Sequence, residues 1–69
     1  MKLKWTDVDA IAEILYDRFP ELDPLSIRFT DLHKWITEIS QFDDAPERAG
    51  ERVLEAIQMA WYEEWKLDQ

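Results

Sequence analysis

A chain of 69 residues without a single cysteine must build its fold from side-chain packing alone. Surface-to-volume scaling lets a domain of this size bury only roughly 60% of the surface that its unfolded chain exposes. No disulfide compensates for the small core, and no thiolate is present to ligate a metal. The core therefore falls to four tryptophans, three phenylalanines, two tyrosines and the aliphatic side chains. The sequence holds no internal repeat, no low-complexity segment and no linker, so residues 1–69 are expected to form one domain.

Apolar residues recur at helical spacing in three segments. Val8, Ile11, Ala12, Leu15 and Phe19 mark a first helix from about Asp7 to Phe19, capped by Thr6 with Asp9 three residues on and stopped by Pro20. Trp5, ahead of the cap, is placed to staple the first turn. Asp23-Pro24 predicts a short turn or a single helical turn, followed by a brief extended stretch at residues 27–29. Thr30 is the expected cap of a second helix reaching about Ser40, with Leu32, Trp35, Ile36 and Ile39 inward. Phe42 is expected to anchor the next loop, and Asp44 to cap a third helix with Glu47 at its third position, running to about Trp65 with Val53, Leu54, Ile57, Ala60, Trp61 and Trp65 on its apolar side. Gly50 weakens the start of that helix by up to about 1 kcal/mol relative to alanine, enough for the helix to begin there instead. The expected fold class is mostly α, three helices around one core.

Charge excludes several functions. Sixteen acidic residues against eight basic ones give a net charge of −8, which repels phosphate backbones and anionic membrane surfaces. Nucleic acid and membranes are not expected as partners. The N-terminal Met1-Lys2-Leu3-Lys4-Trp5 is not followed by an apolar run of signal-peptide length, and no stretch reaches membrane-span length, so a cytoplasmic location is expected. His33, the sole histidine, has no cysteine or serine nucleophile beside it and reads as an exposed helix residue. Acid–base catalysis needs paired carboxylates in a cleft with separated pKa values, and no such pair is evident, so the chain reads as a binding protein, not an enzyme.

The acidic residues differ between helices. Glu47, Glu51 and Glu55 are interleaved with Arg48 and Arg52, which are spaced to pair with them for a few tenths of a kcal/mol each. On the first helix, Asp9, Glu13 and Asp17 fall within an arc of roughly 80°, and the only basic residue of that helix, Arg18, sits nearer Glu21. Like charges at this spacing cost a few tenths of a kcal/mol per pair, a cost that a cation or basic surface would relieve. Oxygen-only ligands suit hard cations such as Fe3+, Mg2+ or Ca2+, and no spacing here matches an EF-hand loop.

Specific strings add to this periodicity. Leu3-Lys4-Trp5-Thr6-Asp7, Leu22-Asp23-Pro24 and Arg28-Phe29-Thr30-Asp31-Leu32-His33-Lys34-Trp35-Ile36 resemble the IscX (YfhJ) family, and Phe42-Asp43-Asp44 and Leu54-Glu55-Ala56-Ile57 with Trp61 continue the likeness through nearly the whole chain. The resemblance implies a compact domain with a modified winged-helix-like arrangement, encoded with the iron-sulfur cluster assembly machinery. It implies an accessory or regulator that binds the cysteine desulfurase, as frataxin does through an acidic surface, and that binds iron weakly through surface carboxylates. Ferredoxin and the scaffold protein are further partner candidates, and a monomer is expected.

Carried onto this sequence, the partner-binding set is Asp7, Glu13, Asp17, Glu21, Asp23 and Asp31. The candidate metal ligands are Asp9, Glu13, Asp17, Asp43 and Asp44, with no tightly bound cofactor. The segment Tyr62-Glu63-Glu64-Trp65-Lys66 departs from the family pattern by an extra tryptophan and a lysine. Without thiols the chain is neither cluster scaffold nor sulfur donor, which leaves the role of adaptor. Two other readings stand beside it: an iron chaperone delivering cargo to the assembly complex, and an acidic mimic of nucleic acid. Trp5, Trp35 and Trp61 fall in the matched strings and are expected to form core.

Overall fold

The first helix starts one residue later than the Thr6 cap predicts, because Asp7 is drawn into a turn of its own. Asp7 N donates to the Lys4 carbonyl at 2.9 Å while Lys4 N donates to the Asp7 carboxylate at 2.8 Å. Asp7 therefore occupies the cap position with its side chain turned to the preceding segment. The computed structural model describes residues 2–67. Its elements are α1 (Val8–Arg18), α2 (Phe29–Thr37) and α3 (Glu51–Leu67), with 3-10 turns at Pro24–Ser26 and Pro46–Arg48.

The Asp23-Pro24 expectation holds. Asp23 Oδ1 accepts from Leu25 N at 2.9 Å, Pro24 takes the first turn position, and Ile27 is extended behind it. Gln58 of α3 donates to the Pro24 carbonyl at 2.9 Å and fastens this turn to the helix. The second helix begins at Phe29 with Arg28 at its cap, so Thr30 lies exposed inside the helix and does not cap it. It also ends earlier than predicted. Thr37 Oγ1 donates to the Lys34 carbonyl at 2.9 Å, and Ile39 enters the core from beyond the helix end. The third helix starts past Gly50, whose carbonyl accepts from Val53 and Leu54. Asp44 does not cap it. Its carboxylate is already occupied elsewhere.

All three helices share one cluster. Ile11, Ala12 and Leu15 of α1, Leu32 and Ile36 of α2, and Leu54, Ile57 and Trp61 of α3 are buried together with Leu3, Trp5 and Ile39. At the other end of the core the rings of Phe19 and Trp35 approach to 4.6 Å, with Trp61 at 6.2 and 6.5 Å from them. The radius of gyration of 11.0 Å equals the value of about 11 Å expected of a compact chain of this length. Among the described residues the only strand-like pairing is the isolated bridge Leu3–Phe42, and no hairpin forms a wing. Likewise, no helix is long and apolar enough to cross a membrane.

The bridge belongs to a latch that ties residues 2–5 to the loop after α2. Leu3 N donates to Gln41 O at 2.7 Å, and Asp43 N to Leu3 O at 2.8 Å. Trp5 N donates to the Asp44 carboxylate at 3.1 Å and its indole Nε1 to Ala45 O at 2.7 Å. The buried Trp5 ring meets Phe42 edge-on at 4.6 Å and stacks on His33 at 5.5 Å. His33 is half-buried, not exposed as its sequence position suggests, and its Nε2–H donates to the Pro46 carbonyl at 2.7 Å. Trp5 is thus a link between α2 and the loop, more than a staple for α1.

The backbone N–H groups of Trp5 and then Ala45 hold the Asp44 carboxyl below its usual pKa, with the positive charges of Arg48 and Lys4 adding to the effect. A carboxyl whose folded pKa is depressed contributes stability above its unfolded pKa and loses it as pH falls through the folded value. Asp44→Asn, which mimics the neutral acid, is expected to lower the urea midpoint near neutral pH. The gap to the unmodified protein should then close as pH is taken below about 4. Urea titrations across that range check both statements.

In the core, Ile57→Ala is expected to cost about 2–5 kcal/mol of unfolding free energy. Trp61→Phe should cost less than Ile57→Ala. The Trp61 indole N–H is buried without a hydrogen-bond acceptor, so its removal offsets part of the cavity left behind. Denaturant unfolding of the two variants decides the order.

Candidate acidic interface

Burial of one side of α1 dictates what its other side presents. At 100° per residue, the buried Ile11, Ala12 and Leu15 centre roughly opposite the arc of Asp9, Glu13 and Asp17. All three carboxylates are exposed, and among the described residues none lies within ion-pairing distance of a lysine, arginine or histidine. The row is an uncompensated line of negative charge along an 11-residue helix.

The structure divides the other predicted site residues into two groups. Glu21, in the turn after α1, and Asp31, in the first turn of α2, are exposed and have no ion-pair partner among the described residues. Asp7, Asp23, Asp43 and Asp44 are engaged. Asp7 holds Lys4 N, Asp23 holds its 3-10 turn, and Asp44 holds Trp5 and Ala45. Asp43 pairs with Lys2 at 3.4 Å and Lys4 at 3.7 Å, and its carbonyl accepts from Lys4 Nζ. These are fold-forming interactions, and a ligand at Asp7, Asp23 or Asp44 would have to displace them.

The candidate metal ligands do not gather. Among the described residues no three Asp, Glu or His side chains converge in a group able to hold a metal ion. Asp9, Glu13 and Asp17 form a line, and Asp43 and Asp44 belong to the latch. Hard cations with six or more oxygen ligands need convergence, so a cation on this surface would keep most of its water.

The third helix also departs from expectation. Its glutamates Glu51 and Glu55 make no ion pair with Arg48 or Arg52 among the described residues; the ion pair on this helix is Lys66–Glu63 at 3.4 Å. Near its end, Lys66 sits 5.4 Å over the Tyr62 ring, and Tyr62 stacks on Trp65 at 6.0 Å. The extra tryptophan and lysine of the C-terminal segment thus both contact the Tyr62 ring.

Sequence reasoning missed Trp5, His33 and Lys4 as one assembly. Trp5 and Asp44 are 39 residues apart, and no local spacing signals their hydrogen bond.

Comparison with known proteins supplies the family. An uncharacterized protein of Pseudomonas aeruginosa is 55% identical over 64 residues, spanning 93% of this chain and 97% of that protein. The family described as iron-sulphur cluster assembly matches residues 3–66, which takes in the α1 row, the latch and almost all of α3. The chain belongs to this iron-sulphur cluster assembly family, the IscX (YfhJ) family.

Proposed function

We propose that this protein is a non-catalytic adaptor of iron-sulfur cluster assembly that docks the α1 row onto a basic surface of the cysteine desulfurase and modulates its output. The observation that carries the reading is the exposed, unpaired line Asp9, Glu13 and Asp17, continued by Glu21. A basic partner relieves the like-charge cost of the helix on contact, and the long-range field speeds encounter. Absence of thiols fits an adaptor, since neither sulfur nor a cluster can be carried by cysteine here. Iron is a weak competitor for the same carboxylates. With no converging ligand set among the described residues, cargo transport is the less favoured role.

Docking through exposed charges is screened by salt over a Debye length of about 8 Å at physiological ionic strength, so affinity should fall steeply as salt is added. Reversing Glu13 and Asp17 to lysine is expected to weaken desulfurase binding by roughly tenfold or more. Reversing Glu51 and Glu55 should change it by less than about threefold. Calorimetric or interferometric titration of the purified desulfurase measures both, and equal losses from the two pairs would reject the placement on α1.

A further inference from the structure

We draw no further inference here: the strongest candidate, the apolar groove between the N-terminal segment and α3 lined by Trp5, Val8, Val53 and Ala56, carries nothing, because the exposed carboxylates of Asp9, Glu51 and Glu55 adjoin its lining residues and offset the charge of Arg52, and nothing in the structure shows what covers it.

Discussion

The packing of α1 on α3 is the contact on which the remaining features rest. It is the principal helix pairing of the molecule, and it places Ile11 and Leu15 in one cluster with Ile57 and Trp61, all fully buried. A chain this small has little else to hold it. Burying an aliphatic or aromatic side chain contributes about 1.5–3 kcal/mol, so these few residues outweigh any surface interaction the protein makes. Because the helix period is fixed, seating Ile11, Ala12 and Leu15 inward leaves Asp9, Glu13 and Asp17 no direction but outward. The candidate interface is the geometric complement of the core.

What could be foreseen from the sequence follows the same division. The inward face of each helix was legible because its signal is local and periodic: Leu32 and Ile36, or Leu54, Ile57 and Trp61, recur at steps of three and four and are buried as expected. The helix starts were less so. Thr30, Asp44 and Thr6 are good capping residue types, yet Arg28, Gly50 and Asp7 occupy the positions before the three helices. Capping contributes about 1 kcal/mol, and at Asp44 and Asp7 the carboxylate had better-placed donors in Trp5, Ala45 and Lys4. Lys4 and Ala45 are local donors, but Trp5 reaches Asp44 and Ala45 across about 40 residues of chain, which no window of local sequence contains. For the same reason His33 looked exposed: its neighbours Trp5 and Pro46 come from other segments.

The latch also sorts the carboxylates by role. A side chain already accepting from backbone N–H groups, such as Asp44, has its charge satisfied by the fold, and its pKa is depressed accordingly. Asp43 is neutralised by two lysines that the N-terminal segment carries to it. With these set aside, α1 and the turn that follows still carry an unbroken run of exposed carboxylates at Asp9, Glu13, Asp17 and Glu21. Net charge alone describes solubility; its distribution after such pairing is what gives a surface direction.

A local rule broken without local compensation is informative about function. Three like charges at fourfold spacing cost α1 a few tenths of a kcal/mol per pair, and its neighbours supply no ion pair among the described residues to relieve it. The cost is small against the burial on the opposite face, so the fold tolerates it. It is not small against the margin of a domain of this size, where total stability is of the order of 0.05–0.15 kcal/mol per residue. A ligand that neutralises the row therefore returns free energy to folding and to binding in the same event, and linkage requires that the complex be more stable than the free protein. Sequences in which local choices agree with the fold are expected to depart from that agreement mainly at functional sites. Here the longest such departure lies on α1, where three carboxylates follow one another with no basic residue between them, whereas Glu51 and Glu55 on α3 are interleaved with Arg52.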